Sequence, residues 1–255
     1  MTDAVFTAES PWIRRAARPA PALRLICLPH AGAGASAFRT WPALLPPAIE
    51  MIVVQLPGRE DRSREDPPTR LRALVRACAV ALRPFCTGDF AFYGHCAGAL
   101  LGWEVARELG ERHRLWPRRL LAAAQPAPHL PPPARPLHAL PDADLAAEVE
   151  RRGGLPPAVR RNPALLDMLL PLIRSDFTLW ETYRYEPRPP LPVPVTTVRG
   201  TEDTTVPAAA LGSWAEHTTA GHTHHEVDGG HYFVNQPTER TARVLARALL
   251  ASDTR

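Results

Sequence analysis

Three residues of this chain have the types, and the order along the sequence, that acyl-transfer chemistry requires. Cys96 lies at the centre of the run Gly94-His95-Cys96-Ala97-Gly98, directly after a short apolar stretch, FAFY. A nucleophile flanked in this way by two glycines, between a strand and a helix, is typical of a nucleophile elbow, a sharp turn that exposes the attacking atom. Such a nucleophile also needs a base, and a third group that orients the base. The run therefore predicts that the Cys96 sulfur attacks a carbonyl carbon.

The acid and the base are expected further along the chain, each in a loop after a strand. Where this elbow occurs, the acid and then the histidine follow the nucleophile. Asp203 comes after the apolar run 193–199, and His231 comes after the run 223–227. Functional side chains collect at the carboxyl ends of parallel strands. We interpret Asp203 as the orienting acid and His231 as the base, with Glu202 and Asp228 as alternatives for the acid.

Two backbone N–H groups are expected to stabilise the oxyanion that forms during attack. One is the N–H of Ala97, at the start of the helix that follows the elbow. The other should come from the loop after the first strand, residues 29–36 (PHAGAGAS), and we choose the N–H of Ala31. A glycine-containing loop would also suit a phosphate group. This loop lacks the spacings of the common phosphate-binding motifs, which argues against that alternative.

The other cysteines and histidines have structural interpretations. Cys27, Cys78 and Cys86 show no metal-ligand spacing and are interpreted as buried, reduced side chains. His95 is expected to point away from the nucleophile and to be packed. The cluster of His222, His224 and His225 is interpreted as part of a solvated strand or loop, because no partner is spaced to complete a metal site. Three further histidines are expected at the surface: His129, His138 and His217.

Apolar runs that alternate with helical patterns indicate how these residues are positioned. Strands are predicted over residues 23–28, 50–56, 90–93, 119–123, 193–199 and 223–227, and helices over 69–85, 97–111, 208–216 and 238–250. This alternation favours a mostly parallel sheet with helices on both faces. Together with the elbow it predicts a single α/β-hydrolase domain over residues 1–255. Residues up to about 21 are expected to form a short frayed arm.

Residues 124–192 interrupt this alternation and contain the densest proline in the chain. One helix is expected to start at Asp142, whose side chain would cap it, and to end near Gly153. A second is expected to start at Asn162, a capping residue followed by proline, and to run to about Tyr185. We interpret this insertion as a helical lid over the site, between core segments 20–123 and 193–252. A second small domain or a partner-binding arm is the alternative.

Composition excludes several classes of function. All 30 basic residues are arginine, and the net charge is +4. The arginines are scattered rather than arranged in a stripe with aromatic residues, which argues against nucleic-acid binding. No apolar run is long enough for a membrane span, and no secretory signal is evident, so a cytoplasmic location is expected. A mildly basic surface would suit an acidic protein partner, and a monomer is favoured.

Longer motifs resemble the discrete (type II) thioesterases that accompany non-ribosomal peptide and polyketide synthases. They include LPHAGAGASAFRTWPALLP, VVQLPGREDR, YGHCAGALLGWEVAREL and GGHYFVNQ, within a resemblance that spans about residues 20–250. It implies an enzyme with a mobile lid and no cofactor or metal, which takes acyl chains from the phosphopantetheine arm of an acyl or peptidyl carrier protein. The family's nucleophile, acid and base fall on Cys96, Asp203 and His231, and its first-strand oxyanion donor on Ala31.

The nucleophile departs from the resemblance, because the family ordinarily has serine where this chain has Cys96. A thiol beside His231 can lose its proton before the substrate is attacked, and the acyl-Cys intermediate would still be a thioester. Release to water is the default expectation. Transfer to an amine, alcohol or thiol, as in an acyltransferase or cyclase, is the alternative, and a non-catalytic carrier-binding partner is a third. An engineered Ser→Cys exchange is another account of Cys96.

The acyl chain itself is not specified by the sequence. The segment 164–185 is apolar with aromatic residues. This composition suits a medium-sized acyl group, but the same pattern would serve to pack the insertion on the sheet. The second interpretation applies at least equally to Met168, Phe177 and Trp180.

Overall fold

The computed structural model describes residues 5–155 and 157–251. Its centre is an eight-stranded sheet in the order β1-β2-β4-β3-β5-β6-β7-β8. The strands are β1 (Thr7–Ser10), β2 (Ile13–Ala16), β3 (Leu23–Leu28), β4 (Ile49–Val54), β5 (Phe90–His95), β6 (Leu120–Ala123), β7 (Val195–Gly200) and β8 (His222–Val227). The six strands from β4 to β8 in this order are parallel to one another. The predicted α/β-hydrolase fold is confirmed, and each predicted strand forms with its ends shifted by at most two residues.

Helices cover both faces of the sheet. They are α1 (Trp41–Leu44), α2 (Leu71–Leu82), α3 (Ala97–His113), α4 (Asp142–Arg151), α5 (Pro157–Arg160), α6 (Pro163–Glu181), α7 (Ala208–Gly212) and α8 (Glu239–Leu250). Successive residues of a strand point to opposite faces. In β3, Ile26 packs with the side chains of α2 and α3, whereas Cys27 packs with those of α1 and α8. Both faces are therefore buried, as expected for parallel strands.

Residues 7–10 and 13–16 form ordered strands, so the expectation of a frayed arm up to about residue 21 was wrong for this part of the chain; residues 1–4 of that expectation lie outside the described residues. β2 pairs antiparallel with β4, and β1 adds to β2 at the edge of the sheet. Ile13 lies opposite Val54 and is fully buried. The pairing is stabilised by an ion pair between Arg15 and the buried Glu50 of β4, at 2.9 Å. Two four-residue strands with little apolar alternation give only a weak signal in the sequence. They are ordered because they extend the sheet at the edge of β4.

The insertion contributes α4, α5 and α6 between β6 and β7. Asn162 caps α6 as predicted, because its side chain accepts a hydrogen bond from the N–H of Leu165 at 3.3 Å. The predicted cap by Asp142 is wrong: Pro141 is at the cap position, and the Asp142 carboxylate accepts a hydrogen bond from Arg174 at 2.5 Å. The helix α6 ends at Glu181 rather than near residue 185.

The apolar face of the insertion packs over the carboxyl end of the sheet. Its buried residues form one cluster with Ala31, on the loop after β3, and with Ala97, the first residue of α3. Phe177 belongs to this cluster, but Met168 is 72% exposed and contributes nothing to it. Among the described residues, no helix combines the length and the apolar composition that a bilayer span needs.

Candidate active site

Cys96 occupies a tight turn between β5 and α3. The strand ends at His95 and the helix starts at Ala97, so Cys96 is the only residue between them. Its backbone has φ 51° and ψ −123°, a conformation that residues other than glycine rarely adopt. The N–H of Cys96 donates to the carbonyl oxygen of Ala123 at 2.8 Å, which fixes the turn against β6. The side chain is half-buried, and the turn has the shape of a nucleophile elbow.

Two glycines make this turn possible. A Cβ atom on Gly94 would lie 2.2 Å from the carbonyl oxygen of Gly98, and one on Gly98 would lie 2.2 Å from the carbonyl oxygen of Leu28. Both contacts are with backbone, which cannot rotate away as a side chain can. The sequence pattern around Cys96 therefore reflects a close approach of α3 to β3 and β5.

Asp203 and His231 come together from the ends of β7 and β8. His231 Nδ1 lies 2.9 Å from Asp203 Oδ2, and both side chains are buried. The other carboxylate oxygen of Asp203 accepts hydrogen bonds from the N–H groups of Thr205 and Val206, at 2.7 and 3.3 Å. The carboxylate is thus fixed from two sides, and it orients the imidazole of His231.

Backbone hydrogen bonds join the two loops that carry this pair. The N–H of Thr201 donates to the carbonyl oxygen of Val227 at 2.8 Å, and the N–H of Glu202 donates to that of Gly229 at 2.9 Å. A Cβ atom on Gly200 would lie 2.3 Å from the Gly229 carbonyl oxygen. Glycine at position 200 therefore lets the loops approach closely enough for the carboxylate to meet the imidazole.

The electrostatic environment favours the charged forms of both His231 and Asp203. Burial lowers the pKa of His231, but hydrogen bonds with Asp203 and Cys96 raise it more, and the resulting pKa is about 9. Burial raises the pKa of Asp203, but the hydrogen bond from His231 and those from two backbone N–H groups lower it more, so that its pKa lies below the ordinary value. At neutral pH the site therefore favours an imidazolium between the Asp203 carboxylate and the sulfur of Cys96.

The two alternative acids lie elsewhere. The Glu202 side chain is exposed, next to Asp203 in the chain but not among the hydrogen-bond partners of His231. The Asp228 carboxylate accepts hydrogen bonds from Arg240 at 2.5 Å and from Thr238 at 3.4 Å. The geometry therefore brings Asp203, and neither alternative, to the histidine.

Of the two expected oxyanion donors, Ala31 lies on the loop after β3 and Ala97 is the first residue of α3. Ala31 and Ala97 are buried together in the cluster formed with the insertion. Within residues 5–155 and 157–251, neither N–H group donates a hydrogen bond to another protein group. Both are thus available to an oxygen atom that develops negative charge beside Cys96.

Two further residues support this site: His95, which is packed as expected but whose hydrogen bond to the His231 backbone was not predicted, and Asp176, which sequence reasoning missed. His95 is fully buried, and its Nε2 lies 2.8 Å from the carbonyl oxygen of His231. Burial holds the pKa of His95 well below its ordinary value, so it is neutral and donates this hydrogen bond through Nε2–H. The Asp176 carboxylate, on the insertion, accepts from the N–H of Gly32. The sequence contained a signal only for Asp176, because an acidic residue on the apolar face of a helix indicates a buried polar partner.

The remaining cysteines and histidines are placed as follows. Cys27, Cys78 and Cys86 are buried, as predicted, and burial raises the pKa of the last two to about 12. The expectation that His217 lies at the surface was wrong: it is 4% exposed, and its Nε2 lies 2.7 Å from His129 Nδ1. Among the described residues, no group of three or more histidine, cysteine, aspartate or glutamate side chains is arranged to hold a metal ion.

A mostly parallel sheet with an elbow after its central strand, and with an acid and a histidine at the ends of two later strands, defines an α/β-hydrolase. The chain belongs to the thioesterase domain family, whose profile matches residues 23–249. The resemblance found in the sequence is thereby confirmed, and the chain is a member of a family of thioester hydrolases.

Individual relatives match over nearly the whole chain. Thioesterase PikA5 of Streptomyces venezuelae is 35% identical over 256 residues, which cover 99% of this chain and 90% of its own length. The structure of RedJ, a thioesterase from the prodiginine pathway of Streptomyces coelicolor, is 38% identical with a TM-score of 0.82, over 90% of each chain. The structure of BorB, a type II thioesterase from the borrelidin cluster, is 34% identical with a TM-score of 0.85, over 95% of this chain and 99% of its own.

Proposed function

We propose that this chain hydrolyses acyl or peptidyl thioesters of carrier proteins in natural-product assembly lines, through an acyl thioester on Cys96. The names of its relatives support the substrate class, since RedJ and BorB come from biosynthetic pathways of this kind. The observation that carries the proposal is the half-buried Cys96 at the elbow, with the His231–Asp203 hydrogen bond of 2.9 Å beside it. The roles of these residues form part of the proposal.

The first half-reaction would exchange one thioester for another. His231 already holds the Cys96 proton as an imidazolium, and the thiolate sulfur forms a bond to the carbonyl carbon of the substrate. The N–H groups of Ala31 and Ala97 stabilise the negative oxygen of the tetrahedral intermediate. When this intermediate collapses, the bond to the phosphopantetheine sulfur breaks, and that sulfur leaves with the proton held by His231. The acyl group is then on Cys96.

The second half-reaction would return the cysteine. His231, now neutral, takes a proton from water, and the hydroxide oxygen forms a bond to the acyl carbon. Collapse of this second intermediate breaks the bond to the Cys96 sulfur, and this restores the Cys96 thiolate beside the His231 imidazolium. A carboxylic acid is released. Asp203 keeps its hydrogen bond to His231 throughout and stabilises the imidazolium that forms in each half-reaction.

A cysteine nucleophile supports a second candidate, acyl transfer. The exchange of one thioester for another keeps the activation of the acyl group, whereas transfer to serine would lose part of it in an oxoester. An acyl-Cys96 intermediate is therefore a better donor to an amine, alcohol or thiol than the corresponding serine ester. We expect hydrolysis where only water reaches the intermediate, and amide, ester or lactone where another nucleophile does.

Intact-protein mass spectrometry tests both candidates. The protein is mixed with acyl-loaded carrier protein, quenched in acid at short times, and compared with the variants Cys96→Ala and Cys96→Ser. We expect an adduct of the acyl mass on the unmodified chain, none on Cys96→Ala, and free acid as the product. With an added amine, the amide fraction should be larger for the unmodified chain than for Cys96→Ser.

Each result has a distinct reading. Turnover that survives in Cys96→Ala would overturn the proposed function, because another group would then carry the chemistry. Equal product ratios for the unmodified chain and Cys96→Ser would overturn the acyl-transfer candidate alone. Binding of the carrier protein without any turnover above the Cys96→Ala level would favour a carrier-binding partner instead of an enzyme.

A further inference from the structure

The insertion is hydrogen-bonded to the loop that carries the proposed oxyanion donor. Asp176 lies on α6, and its Oδ2 accepts a hydrogen bond from the N–H of Gly32 at 2.7 Å. Gly32 follows Ala31 directly in the chain. A carboxylate on the insertion therefore sets the position of the peptide next to the N–H group that would face the substrate oxygen.

Arg59, from the loop after β4, completes the contact. Its guanidinium donates to Asp176 Oδ2 at 2.7 Å and to Oδ1 at 3.0 Å, a bidentate ion pair. The same guanidinium donates to the carbonyl oxygen of Ala33 at 3.2 Å. The oxyanion loop, residues 29–36, is thus held at two points: Asp176 binds the N–H of Gly32, and Arg59 binds the carbonyl oxygen of Ala33.

Shape adds to these hydrogen bonds. Gly32 has φ +76°, and a Cβ atom there would lie 2.5 Å from Cγ1 of Ile173. Ile173 precedes Asp176 by three residues on α6, so the two side chains lie on the same face of the helix. One face of α6 therefore covers Gly32 with a methylene group and binds its N–H with a carboxylate. This contact fits only one position of the helix relative to the loop.

Stability alone is a weak reason for this arrangement. The side chains of Arg59 and Asp176 are 2% and 4% exposed. Removing two charges from water costs free energy, and the attraction between the charges often does no more than offset that cost. Apolar residues of similar volume commonly stabilise a fold as much as a buried ion pair does. A buried pair of this kind is better explained by the one geometry that it selects, and here the selected geometry is that of the oxyanion loop.

We propose that Asp176 and Arg59 are positioning residues, which hold the Ala31 N–H in place for the oxyanion and so make attack by Cys96 depend on the seating of α6. The inference rests on the proposed function. It implies that the insertion does more than cover the substrate. When α6 is seated, the second oxyanion donor is in position; when α6 moves away, Gly32 and Arg59 lose their partner and that donor is no longer fixed.

Two reagents that both modify Cys96 separate this role from a general structural one. Acylation by a carrier-bound thioester passes through a tetrahedral oxyanion. Alkylation by iodoacetamide displaces iodide from a saturated carbon and forms no oxyanion, so it depends only on the thiol, its base and access. A loss of positioning should slow acylation and leave alkylation unchanged.

The test compares both rates in Asp176→Asn and in a control. The asparagine side chain keeps an oxygen for the Gly32 N–H but loses the charge that holds Arg59. Removal of one oxyanion donor costs about 100-fold to 1000-fold in rate, so we expect displacement of a donor to slow acylation at least about tenfold. Alkylation should stay within about twofold. The control is Asp142→Asn, which removes an exposed ion pair with Arg174 on the same insertion and should change neither rate.

Arg59→Lys is measured alongside, because Asp176→Asn leaves a buried guanidinium without a counterion and can impair folding. The lysine keeps the charge pair and loses the bidentate geometry, so acylation should again slow while alkylation does not. Acylation equal to that of the unmodified chain in either folded variant would overturn the inference, as would an equal loss of both rates. Absence of acylation in the unmodified chain would instead overturn the proposed function.

Discussion

The hydrogen bond between His231 and Asp203 allows a quantitative prediction for the variant Asp203→Asn. The pKa of His231 is about 9 in the folded chain, against an ordinary value of 6.5. This difference corresponds to about 3 kcal/mol in favour of the imidazolium. An asparagine side chain in place of Asp203 can still accept from Thr205 and Val206 through its oxygen, but it carries no charge. Burial, which lowers the pKa of His231, is then opposed by Cys96 alone, and we expect the pKa to fall from about 9 toward its ordinary value.

The same difference predicts how stability depends on pH. Because the folded-state pKa of His231 is raised above its unfolded value, its protonation stabilises the fold fully below about pH 6.5, and this stabilisation is lost as the pH rises through about 9. The unmodified chain should therefore lose up to about 3 kcal/mol of unfolding free energy over this interval. The Asp203→Asn variant should be less stable at pH 6 and should show a weaker dependence on pH over this interval.

An NMR titration of the imidazole Cε1–H signals, from about pH 5 to about pH 10, measures the pKa directly. The His231 signal is identified by its loss in His231→Gln, and urea unfolding at several pH values gives the stability. Asp228→Asn is the matched control, since this carboxylate lies in the same loop as His231 but binds Arg240; it should leave the titration unchanged. A His231 signal that titrates near 6.5 in the unmodified chain, or equally in both proteins, would refute the reasoning.

Two further substitutions test the elbow and the buried edge of the sheet by urea unfolding. Gly98→Ala places a Cβ atom 2.2 Å from the Leu28 carbonyl oxygen and should lower the free energy of unfolding by about 3 kcal/mol or more. A loss below about 1 kcal/mol would show that α3 can move aside. The control is Gly212→Ala, where a Cβ atom meets nothing within 4 Å. For Glu50, burial raises the pKa, but hydrogen bonds from Arg15 and from the N–H of Arg18 lower it more, so it stabilises the fold above about pH 4.5 and less as the pH falls further. Glu50→Gln should therefore cost about 2 kcal/mol at pH 7 and weaken the loss of stability in acid; parallel curves for the two proteins would contradict this.

The proposed catalytic triad was predictable because each of its residues follows a strong local signal. Cys96 lies between two glycines after a buried strand, Asp203 follows an apolar run at a strand end, and His231 follows the strand 222–227 and a turn with two glycines. The order of these elements was sufficient to bring them to one edge of a parallel sheet. Apolar runs also predicted five of the six parallel strands, since both faces of these five are buried or nearly so. The sixth, β8, is a partly exposed edge strand with a polar sequence.

The features that were missed depend on partners distant in sequence. β2 is a strand because it pairs with the edge of β4, and β1 because it pairs with β2; nothing in TAES or IRRA alone indicates this. Asp142 has the residue type of a helix cap, but Arg174 competes for its carboxylate. Asp176 and Arg59 are 117 residues apart. An acid within an apolar helix face signals that a buried partner exists, but the partner could not be identified from the sequence.

The backbone conformation of Cys96, the proposed nucleophile, lowers the stability of the fold. With φ at 51° and ψ at −123°, a side chain at this position is strained by about 1–3 kcal/mol. Glycine would relieve that strain, at an entropic cost of about 1 kcal/mol in the unfolded chain. The turn would therefore be at least as stable without its thiol, and it is the surrounding structure, including the hydrogen bond to Ala123, that keeps Cys96 in this conformation. Substitutions chosen only to raise the melting temperature would favour loss of the nucleophile, so a stabilised variant of this protein must be selected on turnover as well as on heat resistance.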